Sequence, residues 1–433
     1  LFYSTDTIAD RLDLHLDGPL RQEARALMPR IEMAQGSDTY LQGWQQVEAG
    51  CFLLFGPNGP AQFPYQAYGI TEEAMDWATG VEGFNQVIDR MLQWLGPQVE
   101  GRRVVLPLSG GYDSRFILSM LKELGHDAVV AVTYGKATGR ETPMAQRVCD
   151  KLGVPWTFLP YGESLFHSAI HHGFDEYLLR ASNGASVPQE QEYAAFAHMD
   201  KHGMLNGEAW VLPGYCGDVQ AGGFIPDVFF EAQWYSKPVS AAQYIAQAIC
   251  GLGQASLVKA PTAMAPGFHQ FCAEVESWLL REREAKYVIN GVRCYEHFGL
   301  GWALPLWQRD FIEFWRRVPL ALRRDKALYV KVLNQRFFEP MGIAGRGPEL
   351  DALFGSHSMA SRLRRKVPTG IRLAIKRLIF GKNRRDVNNL HLLANMLYAQ
   401  MTGQPKSPYS VNETVGRYLL HLWEHKGKRQ ENL

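Results

Sequence analysis

Val104-Val-Leu-Pro-Leu-Ser-Gly-Gly-Tyr-Asp-Ser-Arg115 reads as a buried strand, a glycine turn and the opening of a helix. Val104 to Leu108 is the short apolar run of a parallel strand covered on both faces. Phe116, Ile117, Met120, Leu121 and Leu124 then recur at helical spacing. In the turn, Gly110 and Gly111 let the backbone bend sharply and approach an anion, and the hydroxyls of Ser109 and Ser114 can donate to it. The free amides of the helix start favour negative charge there. Asp113 is the odd member, because a carboxylate beside phosphates makes sense when a divalent cation lies between them. No lysine follows the glycines, as it would in the Gly-x-x-x-x-Gly-Lys-Ser/Thr loop, so transfer of a γ-phosphoryl group is disfavoured. The turn reads as an ATP site that grips the β and γ phosphates as a departing unit, with the chemistry at the α-phosphorus.

Outward from this turn the pattern alternates. It predicts a helix around Phe84–Leu95, a strand at 104–108, a helix at 113–124, a strand at Ala128–Tyr134, a helix at Thr142–Leu152 and a strand around Pro155–Leu159. Such alternation predicts an α/β fold, a parallel sheet flanked by helices. The nucleotide then lies beyond the carboxyl ends of the strands, where Tyr134-Gly135 meets the phosphate turn. Glu141 opens the Thr142 helix, where a carboxylate suits the helix dipole and is also a candidate site residue. After residue 165 the pattern is mainly helical. Trp302, Trp307, Phe311, Phe314 and Trp315 read as core packing rather than as a ligand cage.

A second glycine-rich stretch, Pro213-Gly-Tyr-Cys-Gly-Asp-Val-Gln-Ala-Gly-Gly223, supplies another carboxylate, Asp218. Two carboxylates are what a magnesium pyrophosphate site needs. The first loop resembles the Ser-Gly-Gly-x-Asp-Ser signature of the pyrophosphatase-loop ATP enzymes. With the second loop behind it, the chain resembles the asparagine synthetase family, whose second signature is Gly-Glu-Gly-x-Asp-Glu-x-Phe-Gly-Gly. Gly214, Gly217, Asp218, Gly222 and Gly223 fall on its glycines or aspartate if Gly217 takes the variable position, and Tyr215 replaces the glutamate. Arg293, Pro305, Asp310-Phe-Ile-Glu-Phe, Val318-Pro319 and Lys326 run parallel to a third family segment, so the resemblance covers about residues 85–340.

The resemblance implies an adenine nucleotide alpha hydrolase-like synthetase domain and an AMP-forming ligase that adenylates a carboxylate and transfers ammonia to it. Leu108, Ser109, Gly110, Gly111, Asp113, Ser114, Tyr134, Gly135 and Gly214 would then bind ATP, and Asp113 and Asp218 would hold Mg²⁺. Lys326 would stabilise the charge building on the phosphates. Tyr215 stands where related lactam-forming enzymes use a tyrosine near the attacking amine. Glu141 and Arg293 are further candidates. The family's Glu-x-Arg-Val-Pro-Phe-Leu-Asp is replaced by Gly301-Trp-Ala-Leu-Pro-Leu-Trp-Gln308, so the likeness does not extend to aspartate recognition. A further acidic residue of the family has no clear counterpart: the register falls near Tyr287, with Glu284 and Glu296 as neighbours. Both loops resemble the variant synthetases of polysaccharide biosynthesis, which implies a sugar uronic acid, as a nucleotide-linked sugar acid, for the carboxylate substrate. A lactam- or peptide-cyclising synthetase, a tRNA-modifying pyrophosphatase-loop enzyme and a non-catalytic nucleotide-binding scaffold are the rivals.

The expected organisation has three parts. Residues 1–85 form a small β-containing segment, with a loop or hairpin at Gly56-Pro-Asn-Gly-Pro60. Within it Leu41–Phe55 resembles the end of a glutaminase domain. Its first cysteine, Cys51, lies in an apolar run, so no glutaminase nucleophile is visible. Together with the start at Leu1 this suggests part of a longer protein, with ammonia or glutamine handled by a missing or separate glutaminase domain. Residues 86–344 form the ATP-pyrophosphatase synthetase domain. Residues 345–433 form a basic helical extension, in which Arg362, Arg364, Arg365, Lys366, Arg372, Lys376, Arg377, Lys382, Arg384 and Arg385 mark either a solvated amphipathic helix or a patch for an anionic substrate or lipid carrier. With 433 residues, 46% apolar, the chain can fill two or three cores, and a net charge of +1 gives no general field for nucleic acid. Six cysteines without metal or Cys-x-x-Cys spacing read as mostly buried thiols, no transmembrane segment is present, and the cytoplasm is the expected compartment.

Overall fold

Alternate residues of Val104–Pro107 face two different cores, and this explains why the whole strand is apolar. Val104 and Leu106 belong to one buried cluster and Val105 to another, as a side-chain period of two demands when both faces of a sheet are covered. The computed structural model describes residues 19–139, 141–205, 208–226, 228–345, 386 and 388–430. Five strands form one parallel sheet: β3 (Val104–Pro107), β4 (Val129–Gly135), β5 (Trp156–Pro160), β6 (Trp210–Val211) and β7 (Gly301–Trp302), in the order β5-β4-β3-β6-β7. The chain leaves β3 toward β4 and β5, then returns to the opposite side of β3 for β6 and β7. The reversal makes the carboxyl end of β3 a topological switch point, where open α/β sheets bind ligands.

The first core is closed by the helices Trp77–Val99, Tyr112–Glu123, Thr142–Leu152, Arg309–Arg317 and Ala327–Leu333. Asp76 caps the first of these, its carboxylate accepting from the Thr79 N–H at 2.8 Å, so the helix begins seven residues before the apolar pattern suggests. Phe84 sits at the centre, stacked on Phe314 and edge-on to Phe116, Phe311 and Trp315. Phe311, Phe314 and Trp315 are thus core residues as expected; Trp307 stacks on Tyr68 and Trp302 donates to Glu296. The second core lies under Glu163–Ala169, Asp175–Ser182, Tyr193–Lys201 and Leu390–Thr402, and Gln22–Ile31 packs with Val411–Gln430 there. A third cluster gathers around Phe268, Phe271 and Trp278.

Expected elements and observed ones agree within a residue or two for β3, β4, β5 and the helices Tyr112–Glu123 and Thr142–Leu152. Two strands differ from the mainly helical expectation after residue 165: β6 and β7 are two residues each, too short to leave a periodic trace. The chain after β7 runs straight into a 3₁₀ turn at Pro305–Trp307. The expected loop at 56–60 is the tip of an antiparallel hairpin, β1 (Cys51–Gly56) with β2 (Gly59–Pro64). Almost all of that hairpin is exposed, including Phe55 at 79% and Leu54 at 56%. All six cysteines are free, four of them buried. Among the described residues no helix is long and apolar enough to cross a membrane. The basic cluster from Arg362 to Arg385 lies outside the described residues.

Candidate active site

Leu108 follows β3 with its N–H still bonded to the Val132 carbonyl, and the chain then turns into the helix Tyr112–Glu123 through Ser109, Gly110 and Gly111. The turn is held from within. The Ser109 N–H donates to Ser114 Oγ at 3.1 Å, the Gly111 N–H to Ser109 Oγ at 3.1 Å, and the two hydroxyls lie 3.2 Å apart. Gly111 caps the helix without a side-chain acceptor, so the helix start remains available to an anion. Arg115, fully buried, donates to the Gly111 carbonyl and to those of Ile343 and Gly345, fixing the turn from behind.

The loop that follows β6 folds directly over this turn. A Cβ on Gly214 would lie 2.8 Å from the Ser114 backbone nitrogen, and one on Gly217 would lie 2.8 Å from Asp113 Oδ2. Both glycines are therefore explained by close approach of the two loops. As a result the Asp218 N–H donates to Asp113 Oδ2 at 2.9 Å, bringing together residues 105 positions apart. Burial, and then the charge of Asp218, push the Asp113 carboxyl up to about 7, although the Asp218 N–H, Tyr329 and Lys326 all pull it back. Lys326 Nζ lies 3.5 Å from Asp218 Oδ2. It is aimed there by two successive left-handed residues, Asp325 at φ 55° and Lys326 at φ 59°, conformations that cost energy and cluster at functional sites.

A cavity of about 330 Å³ opens beside the turn, lined by Leu108, Ser109, Ser114, Tyr134, Lys136, Glu141, Thr142, Gln191, Glu192, Gly214, Tyr215 and Asn388 among others. Glu141 packs over the turn, where a Cβ on Gly110 would meet its Cα at 3.1 Å, and burial raises its carboxyl. Gly135 closes β4 beside Tyr134 with φ 128°. Most expected site residues therefore meet in one place, with Asp113, Asp218 and Lys326 adjoining the cavity through Gly214 and Gly217. Arg293 does not line it: its guanidinium pairs with Glu296 at 2.5 Å, on a helix of its own.

Glu192 and Tyr329, which the sequence did not single out, and Glu284, named there only as a neighbour of Tyr287, lie around the same place. Glu192 accepts from the Tyr134 hydroxyl at 2.9 Å and from the Tyr295 hydroxyl, and Tyr215 joins the cluster 3.0 Å from Tyr295. Burial raises the Glu192 carboxyl, and its tyrosine partners lower it in part. Glu284, one of the two neighbours of that register in the sequence, lies close to the second glycine-rich loop. It is buried, accepts from Cys216 Sγ at 3.1 Å, pairs with Arg283 and is close enough to feel the charge of Asp218. Tyr287 turns instead to Asn412. The segment Leu279–Val288 is wound as a π-helix, and its wider turn changes which side chains share a face. Tyr329 donates to Asp113 Oδ1 at 2.9 Å. The mixed-charge run Arg281–Lys286 and a Lys-x-x-Tyr spacing were the available signals, and neither is specific.

Among known proteins, the family described as asparagine synthase matches residues 98–337, more than half of the 433. The chain belongs to the asparagine synthase family. It is thereby a member of an ATP-utilising ligase family. It is also similar to the tRNA-specific 2-thiouridylase MnmA of Corynebacterium aurimucosum, 27% identical over 136 residues that cover 28% of this chain and 37% of the relative. MnmA of Rhodospirillum rubrum is 37% identical over 94 residues, 18% of this chain and 24% of that protein. The chain thus spans well under half the length of these relatives. Of solved structures, the NH3-dependent NAD synthetase of Campylobacter jejuni is similar at 18% identity and a TM-score of 0.23, over 35% of this chain and 62% of that one. That likeness is too slight to add to the family assignment.

Proposed function

We propose that this asparagine synthase family member is an AMP-forming amide ligase that adenylates a carboxylate, a sugar uronic acid in the first instance, and transfers ammonia to it. The observation that carries this reading is the hydrogen bond from the Asp218 N–H to Asp113 Oδ2, which brings two carboxylate-bearing, glycine-rich segments together beside a helix start open to an anion. Mg²⁺ fits this donor set: it uses one or two carboxylates and completes its shell with phosphate oxygens and water. Among the described residues no group of three or more His, Cys, Asp or Glu side chains stands together as a metal site. When bound, Mg²⁺ supplies charge neutralisation to the departing pyrophosphate.

The residues then divide the work. Ser109, Ser114 and the free amides of the Tyr112 helix bind the β and γ phosphates. The substrate carboxylate oxygen attacks the α-phosphorus, the bond to the β-phosphate breaks, and Lys326 offsets the charge that develops. Ammonia next attacks the acyl carbon and AMP leaves. The nitrogen must lose a proton, and Glu192 behind Tyr215 and Tyr134 is a buried acceptor at the cavity wall. The nitrogen source is ammonia itself or glutamine through a separate glutaminase domain, and the cytoplasm supplies the ATP.

The test is exchange of labelled pyrophosphate into ATP across a panel of carboxylates, with mass spectrometry of the products when ammonia is added. Carboxylate-dependent exchange and a primary amide are expected. A cyclised product without ammonia would favour the lactam-forming reading. The MnmA likeness is the observation behind an RNA substrate, and exchange that appears only with added tRNA would replace the present reading.

A further inference from the structure

One turn of helix serves both aspartates. Lys326 approaches Asp218, and Tyr329, three residues on, donates its hydroxyl to Asp113 Oδ1 at 2.9 Å. The Tyr329 ring is completely buried between Phe84, Phe116, Phe311 and Trp315, with centroids 5.9 to 6.4 Å away, so the hydroxyl has little freedom to move. On the other side the Asp218 N–H fixes Asp113 Oδ2. Each carboxylate oxygen thus spends one lone pair on a rigid protein donor and keeps another free.

We infer that Tyr329 is a positioning residue for the metal site: its phenol sets the plane of the Asp113 carboxylate so that the remaining lone pairs face the shared cation. The inference rests on the reading of Asp113 as a magnesium ligand given above. A hydrogen bond to a ligating carboxylate fixes its orientation, and losing such a partner weakens metal binding by about 10–100-fold. The aromatic cage makes the arrangement stiff, and the pair of left-handed residues at 325–326 sets where the helix starts.

The experiment uses the full chain with Mn²⁺ as the probe and a non-hydrolysable ATP analogue, read by electron paramagnetic resonance. Tyr329→Phe is expected to weaken Mn²⁺ binding about 10–100-fold while leaving metal-free binding of the analogue unchanged. The double variant with Asp113→Asn should bind Mn²⁺ no more weakly than Asp113→Asn alone. Phe84→Leu, which loosens the cage and leaves the hydroxyl in place, is the structural control. It should lower the urea midpoint with less than a threefold effect on Mn²⁺. Equal Mn²⁺ affinity in Tyr329→Phe and wild type would overturn the positioning role alone. So would a loss in Phe84→Leu as large as that in Tyr329→Phe. If the wild-type chain with analogue takes up no Mn²⁺, the metal reading of Asp113 and Asp218 falls, and this inference with it.

Discussion

Asp113→Asn should make the metal-free protein more stable while ending its chemistry, and the size of the gain should depend on pH. The carboxyl is raised from 3.8 to about 7, chiefly by burial and then by Asp218. Between those values the folded chain holds a proton that the unfolded chain has lost, so stability falls as pH rises through the window, and the penalty is complete above about 7. A rise of about three pH units at roughly 1.4 kcal/mol each sets a ceiling of about 4 kcal/mol. Asp113 is only part-buried in the open site, and solvent screening brings the expected figure to about 1–3 kcal/mol. Asparagine fits the same contacts, its oxygen accepting from the Asp218 N–H and its amide donating to the Tyr329 oxygen. Urea unfolding in EDTA should show the variant more stable at pH 8 and the difference shrinking toward zero near pH 4. Adding Mg²⁺ and ATP should reverse the order, because only the wild type gains ligand stabilisation. A difference independent of pH, or a variant less stable at pH 8, would refute the argument that Asp113 is a strained, desolvated acid.

Lys326→Met should lower the pyrophosphate exchange rate by about 10²–10³-fold while ATP affinity, followed by nucleotide fluorescence, changes little, since its role is to meet charge that develops during reaction. Glu192→Gln should separate the half-reactions, leaving exchange largely intact and slowing amide formation by about 10²–10⁴-fold in single-turnover product assays. Glu276→Gln removes the partner of the fully buried Arg323 and should cost about 3–5 kcal/mol in urea unfolding, because an uncompensated charge is left inside.

The phosphate turn was legible because its information is local: five specified residues, an apolar run before and a helical stripe after. The second loop was legible through its glycines, and the structure supplies the reason for two of them in the contact with Asp113 and Ser114. What the sequence hid depends on distance along the chain. Glu192 meets tyrosines from three separate elements, 58 and 103 residues away in two cases. Glu284 comes beside Cys216 across 68 residues of chain, and Tyr329 reached Asp113 only once a helix 216 residues later had packed on the turn. Arg293, matched by register alone, is engaged with its neighbour Glu296. β6 and β7 are named as strands by their hydrogen bonds to the sheet, which two residues cannot announce by pattern.

The bare hairpin of β1 and β2 has a practical consequence for anyone handling this protein. Phe52, Leu53, Leu54, Phe55 and Phe63 are exposed on a ribbon that, among the described residues, has two strands, and such ribbons template self-association. Concentrated preparations should cloud as salt rises, and lysine at position 55 should keep them clear without touching the chemistry.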